Sequence, residues 1–153
     1  MPTASTDRIE KNVVLRAPRS RVWRALTSHE EFGAWFKARL EAPFAAGAVA
    51  RGRITHPGFE HLKLELQIEQ LEPERYFSFR WHPYAVDEEV DYSGEPTTLV
   101  EFFLEEAPGG TALRIVESGF DRLPPERRAK AFEMNDGGWA AQVKNFEAHV
   151  ARG

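Results

Sequence analysis

The chain has 153 residues, a net charge of −4 and no cysteine. That length is one domain, able to bury a sizeable core without staples. The missing cysteines exclude disulfides, thiolate catalysis and cysteine-ligated zinc. The acidic balance argues against a nucleic-acid binder. No apolar run approaches the 18 residues of a membrane span. Met1 to Asp7 lacks the apolar centre of a signal peptide. The expectation is a cytoplasmic protein with a frayed tail over residues 1–7 and a single domain over 8–153.

Arg8 to Arg16 reads as a strand, with Ile9, Lys11, Val13 and Leu15 on one face by the period of two. Ala17-Pro18 ends it and places a proline at a helix start. Arg19 to Thr27 follows as a short helix burying Val22, Trp23 and Leu26. Ser28 and Glu31 form the capping-box signature of a second helix, whose apolar face is Phe32, Trp35 and Phe36. Strands then succeed one another. Ala48 to His56 is bounded by Gly47 and Pro57-Gly58. His61 to Leu71 alternates most clearly, with Leu62, Leu64, Leu66 and Ile68 on one face. Tyr76 to His82 sets Phe77, Phe79 and Trp81 on one face. Thr97 to Glu106 does the same with Val100, Phe102 and Leu104. After the Pro108-Gly109-Gly110 turn, Thr111 to Gly119 returns with Leu113, Ile115 and Glu117 on one face. Between Tyr76–His82 and Thr97–Glu106, Pro83 to Pro96 is an acidic loop, readable as a solvated charge run or as a lid.

Pro124 to Val150 is one long helix. Two prolines suit its first turn and Glu126 suits its dipole. Phe132, Trp139, Val143, Phe146 and Val150 form one stripe. Asn135 and Asp136 fall within about 40° and 60° of Trp139, on the buried stripe. Gly137 and Gly138 sit mid-helix, at about 1 kcal/mol each against alanine, which marks a close crossing, a kink or a functional site. An antiparallel meander has one apolar face to cover, and only this helix is long enough to cover it. The fold class is therefore α+β: a curved antiparallel sheet wrapped around a long C-terminal helix, with two short helices after the first strand.

Such an arrangement either packs solid or leaves a pocket between sheet and helix. The walls of a pocket would be Trp35, Phe36, Leu64, Leu66, Phe79, Trp81, Phe102, Leu113, Trp139 and Val143. Its polar groups would be Glu117, Asn135 and Asp136. Strand alternation points Glu117 inward, where a carboxylate needs a partner or a raised pKa. Asp136 opposite Glu117 would make a carboxylate pair for acid–base work; an arginine partner or a solvated strand end is the plainer reading. His56, Glu60 and His61 flank one turn without a complete metal-ligand set. His82 has no partner visible in sequence, and Ser118 has no nucleophile-elbow context. No phosphate loop or dinucleotide fingerprint is present, and no metal or cofactor is expected.

The run Glu117-Ser118-Gly119-Phe120, then Leu123-Pro124, then Asn135 and Gly138-Trp139, resembles the START-like superfamily (SRPBCC, birch-pollen-allergen-like). Within it the resemblance is to the C-terminal domain of the ATPase activator of the ninety-kilodalton heat-shock chaperone. Ala17-Pro18, Val22-Trp23, Leu26 and Trp35-Phe36 fit the start of that branch. The resemblance implies a helix-grip fold with a deep cavity, which binds apolar ligands in many members and serves cyclases or aromatases in others.

Three functions stay open. The first is binding of a small hydrophobic or amphipathic molecule, with the aromatics around its body and Glu117, Asn135 and Asp136 at its polar end. The second is an acid–base, cyclase-like enzyme in the same cavity, for which Asp136→Asn abolishes turnover. The third is a chaperone-contacting module using the acidic loop from Asp87 to Glu95. A homodimer through a sheet edge or the loop is compatible with each.

Overall fold

In the computed structural model, residues 6–83 and 90–152 are described. Seven strands form one antiparallel sheet in the order β1-β7-β6-β5-β4-β3-β2. They are β1 (Arg8–Leu15), β2 (Ala38–Leu40), β3 (Val49–Ile54), β4 (Lys63–Glu72), β5 (Tyr76–Trp81), β6 (Thr98–Ala107) and β7 (Gly110–Ser118). Helices α1 (Arg19–Thr27) and α2 (His29–Phe36) separate β1 from the meander, and α3 (Pro125–Ala151) closes the fold. Short turns make each meander strand the neighbour of the next. Only β1 breaks sequence order, pairing with β7 over the full register from Arg8↔Ser118 to Leu15↔Thr111. This is the α+β helix-grip arrangement.

The period of two sorts the sheet's faces as expected. Leu64, Leu66 and Ile68 on β4, Phe77 and Phe79 on β5, Val100, Phe102 and Leu104 on β6, and Leu113 and Ile115 on β7 are buried on the inner face. One bulge adjusts the pattern: the β4–β5 register shifts between Ile68 and Gln70. It absorbs Glu69 as an extra residue, so that Leu71 still faces inward opposite Phe77.

The helices close the inner face. α3 runs unbroken through Gly137 and Gly138 and buries Ala131, Trp139, Phe146 and Val150, while Phe132 and Val143 pack at the margin of the core. Neither glycine marks a close crossing, because a Cβ at either would meet nothing within 4 Å. Gly119 differs. At φ +105 it makes the left-handed turn that takes the chain out of β7, and a Cβ there would lie 2.9 Å from the Arg122 guanidinium.

Two local features depart from the sequence reading. α2 ends on Lys37 in the left-handed region, φ 67, and the chain then forms the three-residue strand β2 against β3. Ser28 caps α2 by accepting the Glu31 amide, but the Glu31 side chain does not complete a capping box. It instead accepts from Arg21 Nη1 at 2.6 Å and Arg24 Nε at 2.8 Å and meets His149 Nε2 at 2.9 Å. This ties α1, α2 and the end of α3 together. Burial works to raise the Glu31 pKa, and hydrogen bonds from His149, Arg21 and Arg24 overcome it, holding the carboxyl down at about 2. Finally, Asp7 is tied to the turn after β7. Asp7 accepts the Gly119 and Phe120 amides through its carbonyl at 3.1 and 3.2 Å.

No helix among the described residues is long and apolar enough to cross a membrane.

Candidate functional site

Glu117 is the only charged side chain among the described residues with no exposed surface, at 0%. Its position follows from the register. It lies on the inner face of β7 between Ile9 of β1 and Val100 of β6. Thr98, at the start of β6, shares the inner face with Val100 and pairs in register with Trp81, the last residue of β5. One end of three adjacent strands therefore presents Trp81, Thr98 and Glu117 to α3. From the helix, Asn135 and Trp139 face them together, being one turn apart on one side.

Every partner of Glu117 is neutral. Oε1 accepts from Trp139 Nε1 at 2.8 Å and from Asn135 Nδ2 at 2.9 Å. Oε2 accepts from Thr98 Oγ1 at 2.5 Å, from Trp81 Nε1 at 2.7 Å and from Asn135 Nδ2 at 3.1 Å. Burial pushes the carboxyl pKa up, and the hydrogen bonds from Thr98, Trp81, Trp139 and Asn135 reverse only part of that push. The two indoles and the amide nitrogen can only donate. If Glu117 binds a proton, the Thr98 hydroxyl can turn to accept it, as can Asn135 by flipping its amide.

Aromatic rings surround this cluster. Trp81 lies 5.9 Å from Trp139, 5.8 Å from Phe36 and 5.3 Å from Phe79, between ring centroids. Trp139 lies 6.0 Å from Phe102 and 6.3 Å from Phe36. These are contact separations, so the rings fill the space beside the carboxylate. Trp139, Phe79 and Phe102 are buried, whereas Trp81, Phe36, Asn135 and Val143 are only half-buried and form the edge toward solvent.

The remaining sequence candidates fall around or outside this cluster. Trp35 is buried against Phe146 and donates its Nε1 to the Ala25 carbonyl at 2.8 Å. Leu64 and Leu66 lie in the core on β4, three strands from β7. Leu113 is four residues from Glu117, or about 13 Å along the strand. Asp136 does not face Glu117. Its side chain is 51% exposed and takes a salt bridge from Lys11 Nζ on β1 at 2.8 Å. Asn135 and Asp136 lie about 100° apart on the helix, on either side of Trp139, so only one of them turns inward. No carboxylate pair forms at Glu117.

Thr98 was absent from the sequence candidates. The signal that singles out Glu117 applies to it equally, a polar residue at an inward position of an alternating strand. His82 Nε2 lies 3.1 Å from the Glu95 carbonyl, and Arg127 of α3 pairs with the Glu95 carboxylate at 2.9 Å. Arg127 also covers the Tyr92 ring at 4.7 Å. The stretch from Tyr92 to Glu95 is thus fastened beside the start of α3, while residues 87–89 of the acidic loop lie outside the described residues. Glu60 caps its own turn by accepting the Gly58 amide at 2.8 Å.

A depression of about 740 Å³ lies elsewhere, lined by Arg19, Tyr76, Glu101 and Phe103 among others. Its walls are satisfied by one another: Tyr76 donates to Glu101 at 2.6 Å, and Arg19 lies 3.9 Å from Glu106. Burial and the Glu101 carboxylate push the Tyr76 phenol up to about 12. Its open form and paired charges make it the weaker candidate beside the buried carboxylate.

Residues 16–151 match the family model described as Activator of Hsp90 ATPase homolog 1-like protein. The chain belongs to this family. Its members share the START-like helix-grip fold described above. No curated protein matches the chain. Among solved structures, a protein from Arthrobacter aurescens superposes with a TM-score of 0.80 at 17% identity, covering 99% of this chain and 91% of that one. The protein MLL2253 from Mesorhizobium loti gives 0.75 at 23% identity, over 95% and 97% of the two chains. The Aha1 dimer from Colwellia psychrerythraea gives 0.70 at 15% identity, over 94% and 95%. At these identities the likeness is one of fold.

Proposed function

We propose that this protein binds a small, largely apolar molecule between the inner face of the sheet and α3, with Glu117 as the polar anchor and without covalent chemistry. The observation that carries the reading is a fully buried carboxylate held by four neutral donors within a cluster of aromatic rings. A structural ion pair would neutralise such a group, because burying an isolated charge costs several kcal/mol. Here no cation answers the carboxyl among the described residues, and the half-buried Trp81, Phe36 and Asn135 set the group beside an edge that reaches solvent. Sites for small molecules combine these elements: apolar walls and a few converging polar groups. The START-like fold, which commonly holds hydrophobic ligands, supports the same reading.

The enzyme reading loses its acid–base pair with Asp136 turned away. Glu117 and Asn135 stay in the proposed site, and Asp136 leaves it. Native mass spectrometry of the protein, purified gently from cells, tests the proposal. A retained small molecule released on unfolding is the expected result. A ligand-free mass that persists across a panel of added apolar compounds overturns it.

A further inference from the structure

The cluster around Glu117 has one replaceable member. Trp139 and Thr98 are buried. Asn135 reaches both carboxylate oxygens, so it keeps one bond if the other is lost. Trp81 is different. It is half-buried, it ends β5, and its indole N–H donates to Oε2 at 2.7 Å. Swinging its side chain outward has two simultaneous effects. It vacates a volume the size of an indole beside Trp139, Phe36 and Phe79. It also strips Oε2 of one donor. The space and the free acceptor are created together, in one geometry.

We infer that the ligand is a flat one- or two-ring molecule carrying a single O–H or N–H donor, a phenol or an indole, whose donor replaces the Trp81 indole on Glu117 Oε2. This rests on the small-molecule reading of the site and narrows it. A ring without a donor would leave the buried acceptor short of a partner, and sites built around a hydrogen bond discriminate strongly against such analogues. A ligand bearing its own carboxylate is also disfavoured. Among the described residues no cation pairs with Glu117, so an anionic ligand would find no counter-charge in a poorly solvated place.

Three probes of one ring system separate these outcomes in calorimetric titrations of the wild-type protein: 2-naphthol, 2-methylnaphthalene and 2-naphthoate. The expected order has 2-naphthol tighter than 2-methylnaphthalene by about tenfold or more, the worth of one hydrogen bond to a charged group, with 2-naphthoate weakest. Glu117→Gln, which leaves only one amide oxygen as acceptor, should shrink the preference. Trp81→Phe, which keeps a ring but has no donor to displace, should bind 2-naphthol more tightly than wild type does. Equal affinity for 2-naphthol and 2-methylnaphthalene overturns the inference while leaving the small-molecule reading intact, as does tightest binding by 2-naphthoate. Unchanged 2-naphthol affinity in folded Trp81→Phe overturns the displacement. Failure of all three probes to bind overturns the inference, and the small-molecule reading then stands or falls on the native-mass panel alone.

Discussion

Replacing Gly137 and Gly138 by alanine should stabilise this protein. Both lie within α3, both have exposed surfaces, and neither has a positive φ. A Cβ at either position meets nothing within 4 Å, so alanine adds no clash. The gain then comes from the backbone entropy that glycine loses on entering a helix, about 1 kcal/mol at each site. Neither new methyl touches a common partner, so the two effects should add to about 2 kcal/mol. For a chain of this size that raises the melting temperature by about 4–8 °C. Thermal unfolding followed by far-ultraviolet circular dichroism reads this directly for each single variant and the double. A neutral or destabilising result would mean that residues 137–138 leave helical geometry or meet a partner there.

Asp136→Asn should change stability by less than about 1 kcal/mol, the range of an exposed ion pair, and should leave ligand affinity unaltered; urea titration and calorimetry check the two parts. The Glu31 carboxyl is depressed to about 2, so its stabilising contribution is present above the ordinary glutamate range and lost as pH falls toward 2. Urea midpoints from about pH 5 down to pH 2 should show wild type losing on the order of 1 kcal/mol more than Glu31→Gln across that range. Glu117 has the opposite sign. Its folded pKa is raised, so wild type loses stability as pH rises from the ordinary glutamate range through the folded value. The stability of Glu117→Gln relative to wild type should therefore improve between acid and neutral pH, and a difference that is flat with pH would count against a raised pKa.

Much of the fold was readable because its signals are local. The alternation in β4 to β7 and the apolar stripe of α3 report directly which face is buried. The same alternation turned Glu117 inward, and the structure leaves it no exposed surface. What the sequence left open depends on long-range packing. Helical phase places Asn135 and Asp136 on either side of Trp139, and the roll of α3 against β1 decides between them; Lys11 holds Asp136 on the outer side. Glu31 carries a capping-box signature, yet its side chain is taken by His149 from a distance of 118 residues in sequence. β2 is three residues long and follows a left-handed Lys37, too short for any period to declare itself. The indole partners of Glu117 were equally hidden. Alternation gives the direction of Trp81, and the destination of its N–H emerges only once β5, β7 and α3 are assembled.

The proposed site receives a small molecule at the Glu117 cluster. The most direct test is a two-dimensional proton–nitrogen NMR titration with 2-naphthol, observing the tryptophan side-chain N–H signals. Trp81 and Trp139 donate to Glu117, while Trp35 donates to the Ala25 carbonyl away from the carboxylate. Saturable shifts of the Trp81 and Trp139 signals, with the Trp35 signal little moved, are the predicted result. Binding that leaves the Trp81 and Trp139 signals in place would put the ligand elsewhere and remove Glu117 as its anchor.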